Sequence, residues 1–153
     1  MIPEDLRDNP LAAALEDLAL AAKFEFAELT IEVSSADILE ALRRAKNKLK
    51  FERLSTVTAV DRYPAEPRFE IVYHLQAIAA KQWLRLKVRL SGDNPEMESA
   101  FAVYRSANWY EREVFDLFGV RFLNHPNLTR IMMPDDWVGY PLRKDAPVTG
   151  TRY

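Results

Sequence analysis

Ionisable residues crowd into one short stretch of this 153-residue chain: Glu111, Arg112, Glu113 and Asp116, with His125 close behind. Paired carboxylates can act as acid and base on one bond, and a nearby histidine can shuttle the proton. The spacing argues against that chemistry. Residues two apart on a helix point roughly 200° away from each other, so Glu111 and Glu113 cannot serve one substrate atom together. Asn108-Trp109-Tyr110-Glu111 has the pattern of a capping box, which commits Glu111 to the helix start. Arg112 and Asp116 stand four apart, the spacing of a helical ion pair. The cluster reads as a charged helix held by ion pairs, some buried at a contact, where the planar arginine fork suits a fixed interface. The competing enzymatic reading is a stand-alone hydrolase using Glu113, Asp116 and His125, with or without a metal.

Other chemistries lack their residues. The chain has no cysteine, which excludes disulfides, Cys-ligated zinc, Cys-held iron–sulfur clusters and a thiol nucleophile. It has two histidines, His74 and His125, too few for a multi-histidine metal site. His125, in Asn124-His125-Pro126, reads as a hydrogen-bonded turn residue. Four glycines supply no phosphate loop, and there is no G-x-S-x-G. The formal net charge of −2 does not suit a basic nucleic-acid binder. The remaining nucleic-acid candidate is the basic face Arg43–Lys50. Arg130, Arg143 and Lys144 are offset by Asp135, Asp136 and Asp145. Mixed charge among aromatics is the composition of a protein interface.

The elements that must position these residues are legible in part. Asn9-Pro10 predicts a capped helix start, and Leu11, Ala14, Leu15, Leu18 and Ala22 recur at helical spacing. Leu29, Ile31 and Val33 alternate as a short strand. Ser34 and Asp37 open a helix whose apolar stripe is Ile38, Leu39, Leu42, Ala45 and Leu49. Strands follow at 54–62, 68–78 and 82–91, the last two joined as a hairpin through Ala79–Lys81. Their apolar faces are Phe69, Ile71, Tyr73, Leu75 and Ala77, then Leu84, Leu86, Val88 and Leu90. A short helix is expected through Phe101 and Tyr104. A longer one runs to Phe118 and stops at Gly119, which can take the left-handed C-cap.

The expected fold is α+β: a two-layer sandwich of a mixed or antiparallel sheet with helices on one face, plus an extended C-terminal tail. The expected divisions are an α+β domain over 1–107, a motif helix and exit over 108–123, and a partner-binding tail over 124–153. About thirty residues without a core pattern exceed an ordinary loop. The aromatic and methionine content of the tail (Trp137, Tyr140, Met132, Met133) argues that it is laid out against something. The acidic N-terminus has no basic-then-apolar signal pattern, and no apolar run approaches the ~18–20 residues that span a bilayer. The expectation is a soluble, cytosolic domain, held at any membrane by another chain.

Residues 108–145 carry the most specific pattern: Glu111-Arg112-Glu113, then Asp116 with Gly119, then His125-Pro126, then Arg130, Pro134 and Trp137, then Gly139, Pro141, Leu142, Arg143, Lys144 and Asp145. This stretch closely resembles the signature of the C subunit, or thirty-kilodalton subunit, of respiratory complex I, the proton-pumping NADH:quinone oxidoreductase. It covers about a quarter of the chain. The resemblance implies a non-catalytic structural subunit of the peripheral arm that binds no cofactor itself, with FMN and iron–sulfur clusters in its neighbours. It implies packing chiefly on the D (forty-nine-kilodalton) subunit, with the B and I subunits near, at the cytoplasmic face of the bacterial inner membrane. It assigns no nucleic-acid partner and no membrane contact except through the complex. Related subunits in membrane-bound hydrogenases, methanophenazine-linked dehydrogenases and the ferredoxin-using photosynthetic complex are the alternative. After Asp145 this chain departs from many relatives: residues 146–153 are shorter and less aromatic, which implies a different last grip on a partner.

Overall fold

A computed structural model describes residues 3–148. The departing C-terminal residues Thr149 to Tyr153 lie outside the described residues. Among the described residues the core is a five-stranded sheet in the order β1-β2-β5-β4-β3. The strands are β1 (Ala19–Glu25), β2 (Glu28–Val33), β3 (Arg53–Asp61), β4 (Phe69–Ala77) and β5 (Gln82–Leu90). β2 runs parallel to β5 and every other pairing is antiparallel, so the sheet is mixed. Two helices, α2 (Ile38–Asn47) and α3 (Ala107–Phe118), contribute buried residues to the sheet's apolar core, in an α+β sandwich. A short α1 (Pro10–Ala13) precedes them.

The alternation of the central strands dictates this packing. Ile71, Tyr73 and Leu75 of β4 and Leu84, Leu86 and Val88 of β5 are fully buried with Ile38, Leu42 and Ala45 of α2. The outward face carries cross-strand ion pairs: Arg85–Glu28 at 2.6 Å, Arg89–Glu32 at 3.0 Å and Lys87–Glu70 at 2.8 Å. At the entrance to α2, Ser34 Oγ accepts from the Asp37 N–H, as the capping pattern predicts, but the Asp37 carboxylate accepts from the Ser34 hydroxyl and not from its backbone N–H, and the N-cap is Asp37 itself.

Three expectations are corrected. The helix expected to run through Ala22 ends at Ala13, and residues 19–25 form edge strand β1. Alanine and leucine fit both periods, and pairing with β2 decides between them. Asn9 does cap α1, its Oδ1 accepting from Leu11 at 2.9 Å. The helix expected through Phe101 and Tyr104 is one 3-10 turn, Ala100–Ala102. On either side of it and of α3 lie two short strands with no sequence signal, β6 (Glu96–Glu98) and β7 (Arg121–Leu123), paired in parallel. The basic face of the second helix is also partly spent, with Arg43 and Lys48 left exposed. Arg44 bonds Asp17 at 2.6 Å and Glu40 at 2.8 Å, and Lys46 donates to the Val103 carbonyl.

Candidate functional site: the motif helix and its strap

Helix α3 packs against β3 and ends where expected, at Gly119 with φ +75°. A Cβ there would lie 2.5 Å from the Tyr140 ring and 2.7 Å from Arg143, so glycine is required for the backbone and for the chain laid over it. Residues 124–148 contain no helix or strand. They form a strap that returns along α3 to the sheet.

Asp116 organises the strap. Its carboxylate is fully buried. One oxygen accepts from the consecutive N–H groups of Ile131, Met132 and Met133 at 3.0, 2.7 and 2.8 Å. The other pairs with Arg130 at 2.6 Å. Burial pushes this carboxyl up; the three backbone donors and Arg130 outweigh it, and the group sits below the usual carboxylate range. Arg130 also donates to the carbonyls of Trp137 and Gly139, each at 3.0 Å, closing the strap into a loop.

Arg112 does not pair with Asp116 as the spacing predicts. It donates to the carbonyls of Thr129 and Arg130, at 3.0 and 2.9 Å, and lies over the Trp109 ring. Asp116 has stronger suitors in the strap, and only the tertiary fold reveals them. Glu111 is likewise not a cap. α3 begins two residues earlier than predicted, after Ser106, and no side chain caps it. The Glu111 carboxyl turns inward, accepting from the Ser99 hydroxyl and from the Ala100 N–H at 2.6 Å. Burial raises it to about 7 against those two bonds. His125 lies beside it, Nε2 3.9 Å from Glu111 Oε2. His125 Nδ1 accepts from the Asn127 N–H at 3.0 Å, so Nε2 carries the proton and gives it to the Asn108 carbonyl at 3.0 Å. Burial lowers this imidazole and keeps it neutral. The turn-histidine reading therefore stands.

The far end of the strap docks on the sheet. Arg143 donates to the Phe118 carbonyl at 2.6 Å and stacks between Phe69 and Tyr140. The Lys144 N–H donates to Asp61 at 2.8 Å. Arg68 bridges Asp61 and Asp145 with paired bonds of 2.7 to 3.1 Å. The Arg68 guanidinium holds the Asp61 carboxyl well below its ordinary range and lowers that of Asp145. No motif marks Asp61 and Arg68 in the sequence. The one signal there is charge at the ends of two adjacent strands that otherwise read as buried.

The hydrolase constellation does not form. Glu113 is exposed, Asp116 is saturated by backbone donors, and both His125 nitrogens are bonded. His74 lies on the outward face of β4, between core-facing Tyr73 and Leu75, away from His125. Among the described residues no three of His, Asp or Glu converge to hold a metal ion. Of the other motif residues, Pro126 leads the turn after His125, while Pro134, Trp137, Gly139 and Pro141 shape the strap, with Gly139 at φ +87°. The chemistry this arrangement supports is the fixing of a peptide segment.

The family model described as respiratory-chain NADH dehydrogenase, 30 kDa subunit, matches residues 31–152, which takes in the sheet from Ile31 onward, α3 and the strap. The chain belongs to the 30 kDa subunit family of NADH dehydrogenase. It is 48% identical over 123 residues to the C subunit of the NADH-quinone oxidoreductase of Citrifermentans bemidjiense, covering 80% of this chain and 76% of the relative. It is 41% identical over 148 residues to the corresponding C subunit of Roseiflexus castenholzii, covering 92% and 85%. Among solved structures it resembles the trypsin-resistant fragment of Nqo5, with TM-score 0.68, 25% identity and coverage of 77% and 96%. It also resembles a chain of the membrane-bound sulfane sulfur reductase, an archaeal respiratory membrane complex, with TM-score 0.78, 30% identity and coverage of 90% and 84%. The 30 kDa family match thus extends over all of the strap whose anchors are described above. No helix among the described residues is long and apolar enough to cross a membrane.

Proposed function

We infer that this chain is a non-catalytic structural subunit of the peripheral arm of a proton-translocating NADH:quinone oxidoreductase. In such a complex electrons pass from NADH through FMN and iron–sulfur clusters to quinone, coupled to proton pumping. FMN and the clusters belong to the neighbouring subunits. The observation that carries the reading is how the motif's charges are used. Arg112, Asp116, Arg130 and Arg143 are bonded to strap backbone, to the helix end or to each other, which fixes a peptide surface and aims none of the four at a substrate. That surface presents Trp109, Ile131, Met132 and Leu142 to solvent, apolar residues a monomer gains nothing by displaying.

The strap and the residues beyond it, 124–153, are the partner-binding part, and the D subunit is the principal partner, with the B and I subunits adjoining. The chain sits on the cytoplasmic side of the bacterial inner membrane and touches it only through the complex. The likeness to the archaeal sulfane sulfur reductase supports a second reading, the equivalent subunit of a related membrane complex with another electron donor. Purification of the complex from its native membrane, followed by mass spectrometry, tests both. The expected result is this chain at one copy beside the D and B subunits. An intact complex that lacks it, with the chain free as a monomer, refutes both readings.

A further inference from the structure

We propose that a cleft in the second half of the strap receives a carboxylate from a neighbouring subunit, an aspartate or glutamate side chain held by Arg143 and Lys144. The proposal rests on the chain being a subunit of a complex, and it names the chemistry of one contact the strap makes there.

Between residues 137 and 148 the strap encloses a cleft of about 570 Å³. Tyr140, Pro141, Ala146 and Pro147 are among its walls, and three charged side chains line it: Arg143, Lys144 and Asp145. Asp145 is already in use, its two oxygens accepting from Arg68 at 3.1 and 2.7 Å. Asp61 nearby is in use as well, accepting from Arg68 and from the N–H groups of Tyr63 and Lys144. The two cations of the cleft are left over. Among the described residues no carboxylate lies within ion-pair distance of Arg143 or Lys144. Arg143 gives its Nε to the Phe118 carbonyl and its faces to the Phe69 and Tyr140 rings, and its two terminal nitrogens donate to none of the described residues.

This is an unfavourable place for a lone cation. Burial and the charge of Arg68 both oppose the charged form of Arg143, and they outweigh the pull of Tyr140, Asp145 and Asp61. A guanidinium keeps its proton in a protein, so what relieves it is an anion. Two open nitrogens on a planar fork take a carboxylate bidentately. The flanking rings hold that fork in one orientation before a partner arrives, which lowers the cost of binding. The exposed Lys144 adds a flexible point charge beside it.

The surroundings favour a protein carboxylate over other anions. Asp145 lines the same cleft, and Asp135 and Asp136 precede it in the strap. Two cations among three acids make no long-range positive field. Anionic lipid is drawn by clusters of roughly four to eight basic residues, and nucleic acid by similar fields. A single carboxylate is bound at contact distance and needs no such field. Leu142, exposed on the proposed partner-binding surface, immediately precedes Arg143, so the cleft continues that surface.

Zero-length cross-linking of the purified complex is the test. A carbodiimide joins a lysine amine to a carboxylate only where the two touch. The expected product, found by mass spectrometry, is an amide between Lys144 Nζ and an aspartate or glutamate of another subunit. Arg143→Gln should lower the yield of that product in complexes matched for their content of this chain; an undiminished yield overturns the role given to Arg143. Lys144→Glu should leave the free chain as heat-stable as the parent, because the Lys144 side chain bonds none of the described residues. It should nevertheless release the chain several-fold more readily when the complex is washed with salt. Changing the cross-linked partner residue to lysine should restore retention of Lys144→Glu. Unchanged retention of Lys144→Glu overturns the proposal, as do inter-subunit links at other lysines with none at Lys144. A Lys144 link to a carboxylate of this chain alone overturns it too, and so does Lys144-dependent binding of the free chain to phosphatidylglycerol vesicles, which would make the occupant a lipid. Each of these results leaves the subunit reading standing; a native complex without the chain overturns that reading itself.

Discussion

Two buried carboxyls five positions apart on one helix are tuned in opposite directions, and pH separates them. Glu111 is raised to about 7 from an ordinary value of 4.5. A carboxyl raised on folding binds its proton more tightly in the native state. Its contribution is therefore fully present below about pH 4.5 and is lost as pH rises through 7. Glu111→Gln should remove that loss. Between pH 4.5 and 8 the stability of the variant relative to the parent should rise by roughly 3 kcal/mol, at about 1.4 kcal/mol per pKa unit, as read by denaturant melts at both pH values. Asp116 is lowered, so its contribution is present above its unfolded value of 3.8 and is lost as pH falls through its native one. Asp116→Asn leaves Arg130 without its carboxylate, a loss of about 3–5 kcal/mol for a broken buried pair. Hydrogen exchange at the Ile131, Met132 and Met133 amides should report it. Unchanged protection in the variant would mean that the strap folds without its template. Local spacing marks both residues but pairs each with the wrong partner. Asn108 and Glu111 do fit a capping box, and Arg112 and Asp116 do fit a helical pair. Both local bonds lose to acceptors and donors distant in sequence, which no local pattern encodes.

At the level of elements, legibility follows the length of the repeating pattern. β3, β4 and β5 have nine residues each and are readable within a residue or two of their ends. α2 and α3 are likewise visible from an apolar stripe and a glycine stop. β1 is lost to a helix reading because Ala19-Leu20-Ala21-Ala22 satisfies either period. β6 and β7, at three residues each, are strands only because they meet. The stop at Gly119 carries its own prediction. Gly119→Ala forces a Cβ into a left-handed residue, at about 1–2 kcal/mol. It also drives that Cβ into the Tyr140 ring and Arg143. Thermal unfolding should show the first cost, and faster exchange of the Leu142 amide, which donates to Leu117, the second. A variant with lowered stability but an unmoved Leu142 amide would mean the ring simply steps aside.

Across the whole molecule the strap ties the α3 motif to the tips of β3 and β4. Asp61 is buried and Asp145 is partly exposed, yet both lean on Arg68. Asp145→Asn should therefore cost only about 0–1 kcal/mol. Arg68→Ala should cost several times more, about 3–5 kcal/mol, because Asp61 is left buried without a cation. Equal losses in denaturant melts would show that the triad is not ordered by burial in this way. In the assembled complex, Arg112→Ala should lower the amount of mature complex and leave turnover per complex unchanged, because Arg112 is spent on strap carbonyls and the Trp109 ring. A complex that assembles fully but reduces quinone more slowly would give Arg112 a part in the reaction.

Beside the side-chain anchors Arg130, Arg143 and Asp145, much of the grip on the strap falls on its main chain. Asp116 holds three amide N–H groups, Arg112 and Arg130 hold four carbonyls, and Asp61 holds the Lys144 N–H. Every residue type except proline offers the same amide. The side chains at 131 to 133 are thus spectators to their own anchoring. A lineage can rewrite them to suit a drifting neighbour without loosening the loop that displays them. The fixed motif and the freedom of what it carries are the same device, a clasp that closes on any text.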